Sequence, residues 1–293
     1  MEKVHVAYVL DSGFAACTMV SLYSLLTARP KDIRVTLFLV EDCAYVERAL
    51  ERFTALFSDA ELELRYSDAM KRMEGGRGHI SAATLGRLLL PNELDGKVLY
   101  LDGDTLVRSD VGPLWDTDLG GNLIAASRDP RVWRSVSALN DSALFRWRRP
   151  HRRRLEQLGK IEGIDPSQYF NAGVILFDMP CIRDAGLDTE MADWEAATRF
   201  PSLDQDHLNI IFKDRVALVD PTWNSIWGNV KTSSWPFSQP EISTYAPSRD
   251  DPSIIHFTGP MKPWHSGKTR KNLKERRWQE EWKHFAETMP IGQ

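Results

Sequence analysis

The chain has 293 residues, of which 42% are hydrophobic and 27% charged, and its formal net charge is -4. That length fits one large α/β domain with appendages, and the mild acidity argues against a dedicated nucleic-acid-binding protein. The three cysteines, Cys17, Cys43 and Cys181, are odd in number and far apart, so they predict neither a disulfide framework nor a CxxC metal site. We therefore expect a cytoplasmic protein without a signal peptide or a membrane-spanning segment.

Strand-like and helix-like patterns alternate along the first third of the chain. In chain order they predict a strand over residues 4–10, a helix over 14–28, a strand over 33–40, a helix over 45–53 and a strand over 61–66. A glycine-rich loop at 74–79, a buried helix over 82–90 and strands over 97–101, 122–129 and 172–179 follow, and the Pro- and Trp-rich region 222–264 is expected to form loops. This alternation predicts a largely parallel sheet flanked by helices in one α/β domain, 1–265, with a tail, 266–293.

Two carboxylates stand directly after the predicted strand 97–101, where KVLYLDGDTLV places Asp102 and Asp104. Open α/β sheets bind ligands beyond the carboxyl ends of their strands. In an extended segment residues i and i+2 point the same way, so both carboxylates can converge on Mg²⁺ or Mn²⁺, with phosphate oxygens completing the shell. The dipeptide D-G is also a strong turn signal. The pair alone therefore leaves a metal site and a plain turn open.

Three further stretches carry groups suited to holding a metal-bound diphosphate. YFNAGVILFD contains Asn171, LDQDHLN contains Asp204, Gln205 and Asp206, and HFTGPMKPWH contains His256, Gly259 and Lys262. Each stretch alone has an ordinary interpretation: a turn asparagine, an acid-rich helix start, and a structural histidine at the end of a strand. Together they supply carboxylates, amides, an imidazole and an amine.

In this order the four stretches resemble glycosyltransferase family 8, the retaining nucleotide-sugar transferases of the GT-A fold, over about Val4 to His265. This family includes bacterial lipopolysaccharide α-galactosyl- and α-glucosyltransferases and, more distantly, glycogenin. The resemblance implies that Asp102, Asp104 and His256 ligate Mn²⁺, with Mg²⁺ as an alternative, together with the diphosphate of a UDP-hexose donor.

Other site residues also carry over from the resemblance. Val9 and Asp11 fall at the uracil, and Ser12 stands beside the ribose, where the family often has Asp or Asn. The remaining implied donor contacts are Arg87, Gly103, Asp129, Asn171, Ala172, Asp204, Gln205, Gly259 and Lys262. Among these, Asn171, Ala172, Asp204 and Gln205 match the family's donor-sugar contacts. Gln205 and Asp206 are the candidates to lie near the anomeric carbon, and the predicted catalytic residues are Asn171, Asp204, Gln205 and Asp206.

The function implied by the resemblance is transfer of galactose or glucose from a UDP-sugar to a saccharide or glycolipid acceptor of the bacterial cell envelope. One alternative is transfer to a protein or to the enzyme itself, as in glycogenin. Another is a non-catalytic glycan or nucleotide-sugar binding module, although such a relative would be expected to lose a metal ligand. A dehydrogenase is disfavoured because no GxGxxG follows the first strand.

Two basic stretches remain. FRWRRPHRRR, residues 145–154, has six arginines and no acid, which is typical of either a solvated face or a surface that attracts an anionic acceptor. Residues 268–285 place Trp278, Trp282 and Phe285 on one face of a predicted helix. That helix either docks on the body of the protein or binds anionic lipid at the inner face of the membrane, and of these we favour the membrane.

Overall fold

The structure is a computed structural model that describes residues 3–73, 82–140, 148–228, 239–259, 261–265 and 273–291. Its strands are β1 (Val4–Leu10), β2 (Ile33–Leu39), β3 (Ala60–Tyr66), β4 (Lys97–Leu101), β5 (Thr105–Val107), β6 (Ile124–Arg128), β7 (Phe170–Asp178), β8 (Val216–Leu218), β9 (Ser225–Ile226) and β10 (Ile254–His256). The α-helices are α1 (Ala15–Ala28), α2 (Ala44–Leu56), α3 (Asp68–Lys71), α4 (Leu90–Glu93), α5 (Gly112–Trp115), α6 (Pro130–Asn140), α7 (Arg148–Leu158), α8 (Met179–Asp184), α9 (Asp188–Met191), α10 (Trp194–Ala197), α11 (Asp204–Ile211), α12 (Gln239–Asp250) and α13 (Leu273–Thr288). Within the described residues, a first and a second 3-10 helix span Ala82–Leu89 and Pro221–Asn224.

Seven strands form the main sheet, in the order β3-β2-β1-β4-β7-β6-β8. The first four run parallel, whereas β7 lies antiparallel between β4 and β6. Because of these directions, the carboxyl ends of β1 and β4 meet the amino end of β7 at one edge of the sheet. Residues that follow β1 and β4 are thereby brought next to those that begin β7.

A second sheet of three strands, in the order β5-β10-β9, begins where β4 ends. Strand β5 follows a tight turn after β4 and pairs antiparallel with β10, which places His256 opposite Thr105. On its other side, β10 pairs parallel with β9. This small sheet explains how a histidine far along the chain reaches the aspartate pair.

Helices cover both faces of the main sheet. On one face α1 and α2 bury Met19, Leu22 and Phe53, and on the other the first 3-10 helix and α11 bury Leu88 and Leu208. Strands that are buried on both faces have nearly continuous apolar sequences instead of alternating ones. This is the reason that VHVAYVL and KVLYL could be recognised as strands from their composition.

Most predicted elements of the main sheet occur, and β1 and β4 have the predicted bounds. Residues 82–90 are mainly a 3-10 helix, not an α-helix; it packs so closely on β1 that a Cβ at Gly86 would lie 2.6 Å from Val9 Cγ1. The prediction of loops for 222–264 was wrong, since this region holds β9, α12 and β10. Strands of two or three residues are too short to show a period. The predicted loop at 74–79 lies outside the described residues.

The C-terminal helix α13 packs on the small sheet. Trp278 and Trp282 are 1% and 6% exposed and lie in one apolar cluster with Trp227. Arg108 places its guanidinium 4.8 Å from the ring centre of Trp278 and its Nε 2.7 Å from Glu281 Oε1. The predicted aromatic face therefore exists, but it is covered by the body of the protein, so these tryptophans do not enter a lipid surface. No helix in the described part of the chain is both long and apolar enough to cross a bilayer.

Candidate active site

A cavity of about 440 Å³ opens at the edge of the main sheet where β1 and β4 end and β7 begins. This volume is in the range of small-molecule sites. The cavity brings together most of the residues singled out from the sequence, which are Val9, Arg87, Asp102, Gly103, Asp104, Asp129, Asn171, Ala172, Asp204, Gln205, His256, Gly259 and Lys262. Among the described residues, Asp11, Ser12 and Asp206 are the predicted ones that lie outside its lining.

Asp11 and Ser12 shape the turn between β1 and α1. Asp11 Oδ1 accepts a hydrogen bond from Phe14 N at 2.9 Å, and Ser12 N donates to Glu41 Oε1 at 2.9 Å. An Asp side chain that accepts from a backbone N–H a few residues further along the chain stabilises a turn. The two residues thus lie next to the cavity, with these groups engaged within the turn.

Asp206 lies behind the cavity wall. It is fully buried and accepts hydrogen bonds from Tyr169 OH at 2.5 Å and from Ser202 N at 2.7 Å. Gln205, which lines the cavity, places its Nε2 3.2 Å from the same Tyr169 hydroxyl, so Asp206 reaches the cavity-lining residues only through Tyr169. The structure therefore gives Asp206 the position of a support for Tyr169, not the predicted one beside a substrate.

Asp102 and Asp104 flank a tight turn, in which Thr105 N donates to Asp102 O at 3.2 Å. The expectation that an extended backbone aligns the pair was wrong, because the turn itself aims both carboxylates at His256. Its Nε2 lies 3.5 Å from Asp102 Oδ2 and 3.1 Å from Asp104 Oδ1, and one ligand atom from each residue lies within 4.8 Å of the others. Two carboxylates and an imidazole are a donor set that suits Mn²⁺ and, less well, Mg²⁺.

The charges of this triad are balanced by close contacts. Lys262 Nζ lies 2.5 Å from Asp104 Oδ2 and also donates to Phe257 O at 2.6 Å. Burial opposes ionisation of Asp104, but Lys262 and His256 hold its pKa well below the usual range. Burial would lower the pKa of His256, yet Asp104 and Asp102 raise it to about 9. Since a metal ligand must be a neutral imidazole, a cation that binds here displaces a proton.

Arg87 connects the triad to Asp204 and Ala172. Its Nη2 lies 2.8 Å from Asp102 Oδ1, its Nε lies 2.9 Å from Asp204 Oδ2, and its Nη1 donates to Ala172 O. The guanidinium also stacks 4.7 Å from the ring centre of Tyr100, whose hydroxyl donates to Asp102 Oδ1 at 2.8 Å. Burial raises the pKa of Asp204 to about 6 against the opposing charge of Arg87. Arg87 is 2% exposed, so its guanidinium is held between these partners and away from solvent.

A network of amides forms one wall of the cavity. Gln205 Oε1 accepts hydrogen bonds from Asn171 Nδ2 at 2.8 Å and from Ala172 N at 3.3 Å. Gln205 Nε2 lies 3.4 Å from Asp129 Oδ2 and 3.2 Å from Tyr169 OH. Both ends of the Gln205 amide are therefore engaged, which fixes its orientation and leaves its oxygen poorly placed to act as a nucleophile.

The sequence as a whole matches the family described as "Glycosyl transferase family 8" over residues 5–268. The chain belongs to this family. General stress protein A of Bacillus subtilis is 26% identical over 278 residues, which cover 90% of this chain and 88% of that protein. Lipopolysaccharide 1,3-galactosyltransferase of Salmonella typhimurium is 27% identical over 281 residues, covering 90% and 74% of the two chains.

Solved structures agree with this membership. The galactosyltransferase LgtC in complex with donor and acceptor sugar analogues superposes with a TM-score of 0.73 at 25% identity, covering 99% of this chain and 98% of that one. The predicted fold class is thereby confirmed: a GT-A α/β fold with a large, mostly parallel sheet flanked by helices in a single domain. The resemblance read from the four stretches is confirmed as well.

Two residues of this family 8 site escaped the sequence analysis. A Cβ on Gly173 would lie 2.0 Å from His256 Cε1 and 2.7 Å from Asp102 Oδ2, so the bare backbone of β7 makes room for the triad. A glycine inside an apolar strand was an available signal for such a close approach. Asn224, whose Oδ1 lies 2.9 Å from His256 Nδ1, gave no signal because its region was predicted to form loops.

Gly103, between the two aspartates, is explained by packing on α1. A Cβ at this position would lie 2.1 Å from Thr18 Oγ1 and 3.1 Å from Thr18 Cβ. Contacts below 3.0 Å are essentially absent for real Cβ atoms, so a larger residue requires α1 or the turn to move. The glycine therefore follows from the threonine that stands against it in this chain.

Gly103→Ala is expected to lower the free energy of unfolding by about 1–3 kcal/mol, the usual cost of an overpacked site. Combining it with Thr18→Ala removes the nearest colliding atom, so the double variant should lose less stability than the two single variants added together. Urea unfolding of the four proteins measures this coupling. Strict additivity would show that Thr18 is not the obstacle.

Proposed function

We propose that the protein is a retaining, Mn²⁺-dependent hexosyltransferase that moves galactose or glucose from a UDP-sugar to a saccharide or glycolipid acceptor of the bacterial cell envelope, acting in the cytoplasm. The observation that carries the proposal is the convergence of Asp102, Asp104 and His256 beside Lys262 in the cavity. Relatives named lipopolysaccharide 1,3-galactosyltransferase and lipopolysaccharide 1,2-glucosyltransferase support the choice of sugar and of a saccharide acceptor.

The triad and the lysine fit the chemistry of a departing diphosphate. Asp102, Asp104 and His256 would hold the cation, which supplies a Lewis acid for the negative charge that develops on UDP. Lys262, 8% exposed, adds a second positive charge at the same place and needs no proton transfer to act. Arg87 keeps Asp102 in its orientation through the contact at 2.8 Å.

To retain the configuration, we favour a route in which the acceptor hydroxyl attacks the anomeric carbon from the same face that UDP leaves. Gln205 Oε1 already accepts two hydrogen bonds, and an amide oxygen is a weak nucleophile. In the same-face route the bond from anomeric carbon to phosphate oxygen breaks, and its electron pair stays on the phosphate. That oxygen then takes the proton of the acceptor hydroxyl, whose oxygen bonds to the anomeric carbon. Asn171 and Gln205 orient the sugar during this exchange.

Donor hydrolysis tests the proposal before any acceptor is known. The purified protein is incubated with Mn²⁺ and a panel of UDP-sugars, and UDP release is followed with and without a chelator. We expect slow, metal-dependent hydrolysis of UDP-galactose or UDP-glucose, release of the free sugar first as its α-anomer by NMR before mutarotation, and no gain in mass of the protein itself. Inertness towards every donor, or release of the sugar first as its β-anomer, would contradict the assignment.

An anionic acceptor is part of the proposal. Arg131 lines the cavity beside Asp129, and Arg154 of α7 donates from Nη1 to Arg131 O at 3.1 Å. Burial and the charge of Arg131 lower the pKa of Arg154, as expected where cations crowd together. A phosphate or carboxylate on the acceptor would relieve that repulsion. Of the predicted basic stretch, the side chains of residues 151–154 are among those described.

Arg154→Gln is expected to raise the KM for a phosphorylated glycolipid core about tenfold, because a charge-assisted contact to phosphate is lost, at a cost of about 1.5 kcal/mol. The same variant should leave the KM for the chemically dephosphorylated core unchanged. Arg152→Gln, an exposed arginine on the same helix, is the matched control for net charge. Equal KM changes in both variants would indicate that Arg154 makes no direct contact with the acceptor and acts only through the overall positive charge of the helix.

A further inference from the structure

Asn224 joins the metal triad to the amide network. It ends the second 3-10 helix, is 2% exposed and lies behind the cavity wall. Its Oδ1 is 2.9 Å from His256 Nδ1, and its Nδ2 donates to Asn171 Oδ1 at 2.9 Å. The two ends of one amide therefore bond to two residues that line the cavity.

The direction of these hydrogen bonds follows from a backbone donor. Gly173 N donates to Asn171 Oδ1 at 3.1 Å, and a backbone N–H can only donate. Asn171 must then keep its oxygen at this position, and Asn224 must turn its NH₂ group towards that oxygen. The oxygen of Asn224 is left facing His256, so Nδ1 of the imidazole carries a proton and donates it.

We infer that Asn224 is a positioning residue that sets the tautomer of His256 and the amide orientation of Asn171. With Nδ1 held protonated by Asn224, the proton that a cation displaces is the one on Nε2, and the lone pair it leaves points towards Asp102 and Asp104, as a ligand for a divalent cation requires. With its oxygen held, Asn171 turns its NH₂ towards Gln205. This inference rests on the proposed metal-dependent transfer.

The element that carries Asn224 is itself anchored at both ends. Asp220 Oδ1 accepts from Thr222 N at 2.8 Å and from Thr222 Oγ1 at 2.6 Å, which caps the 3-10 helix. Ser253 N donates to Thr222 O at 3.0 Å, and the next residue, Ser225, pairs with Ile255 between β9 and β10. Asn224 and His256 are thus held by neighbouring strands of the same small sheet.

Two substitutions with the same branching at Cγ separate the two roles of Asn224. Asn224→Asp keeps an oxygen that accepts from His256 Nδ1–H but removes the NH₂ group that holds Asn171. Asn224→Leu removes both. We expect Asn224→Asp to bind Mn²⁺ within about threefold of the wild type, and Asn224→Leu to bind it about 10- to 100-fold more weakly, the usual cost of losing the partner of a ligating histidine.

Mn²⁺ binding is measured on the metal alone, from the electron paramagnetic resonance signal of free Mn²⁺, with circular dichroism to confirm folding. In donor hydrolysis both variants should lose kcat, because each one releases Asn171. Asn209→Asp is the matched control: Asn209 is 6% exposed and bonds to the backbone of Phe170 and Gln205. Its Mn²⁺ affinity should equal that of the wild type.

Wild-type Mn²⁺ affinity in Asn224→Leu, or equal weakening in the leucine and aspartate variants, would overturn the inference. If Asn224 had only a structural role, the leucine and aspartate variants would weaken Mn²⁺ binding equally, because such a role does not need an oxygen that accepts from the imidazole. Failure of the wild-type protein to bind Mn²⁺ at all would instead overturn the proposed function. The two failures are therefore distinguishable in one set of titrations.

Discussion

Asp104→Asn is expected to lower Mn²⁺-dependent sugar transfer about a thousandfold, the upper range for the loss of one electrostatic group at a reacting centre. Asp104 provides one carboxylate of the triad, and its two oxygens lie 3.1 Å from His256 Nε2 and 2.5 Å from Lys262 Nζ. An amide of the same shape keeps the packing but offers one weaker ligand and no charge. Both the cation and the lysine are then misplaced relative to a diphosphate.

Transfer rates and Mn²⁺ affinity are the two measurements for Asp104→Asn, each made on protein whose folding is verified by circular dichroism. Asp118→Asn is the matched control, because Asp118 is an exposed loop carboxylate whose Oδ1 bonds Gly120 N. Its removal changes net charge equally and should leave both quantities unchanged. Wild-type transfer by Asp104→Asn in the presence of Mn²⁺ would refute the metal site.

Gly173→Ala is expected to reduce Mn²⁺ affinity at least about tenfold and sugar transfer about a hundredfold, because a displacement of about 1 Å at a reacting centre costs that much. The added methyl group would start 2.0 Å from His256 Cε1, so the imidazole has to move by more than an ångström to restore a normal contact. Gly173 lies within β7, where alanine suits the backbone, and the effect is therefore steric.

The control for Gly173→Ala is Gly159→Ala, at the end of α7, where the added Cβ would lie 3.2 Å from Leu155 O. Both changes add one methyl group to the chain, but only the first one points it at the triad. Mn²⁺ titration and donor hydrolysis compare the two proteins. If Gly173→Ala binds Mn²⁺ as the wild type does, His256 does not occupy the position that the structure gives it.

The sequence predicted the strands that are long and buried on both faces. β1 and β4 have seven and five residues with nearly continuous apolar side chains, and their bounds were predicted correctly. β9 and β10 have two and three residues, too few for any period, and they exist because β5 pairs with β10, which in turn pairs with β9. Tertiary pairing of this kind is invisible to local sequence patterns.

The site was predicted only in part, because some of its contacts join residues that are distant along the chain. Family resemblance pointed to the ligands of the proposed metal, but proximity in sequence could not show that Asp206 lies outside the cavity lining and bonds to Tyr169. Asn224 was missed because its importance depends on two partners, His256 and Asn171, that are distant along the chain. At α13, helical periodicity predicted a shared aromatic face and could not say what covers it.

The position of α13 makes the far end of the chain part of the active-site scaffold. Trp278 and Trp282 press on the same three-stranded sheet that carries His256 on its central strand. A shortened protein that lacks this helix would keep every residue of the cavity wall. It would lose the tryptophan packing against the sheet that holds His256, one of the proposed metal ligands. If deletion of α13 lowers activity, the cause would therefore be poorer positioning of His256 in the triad, and the loss would be seen even in an assay that contains no lipid.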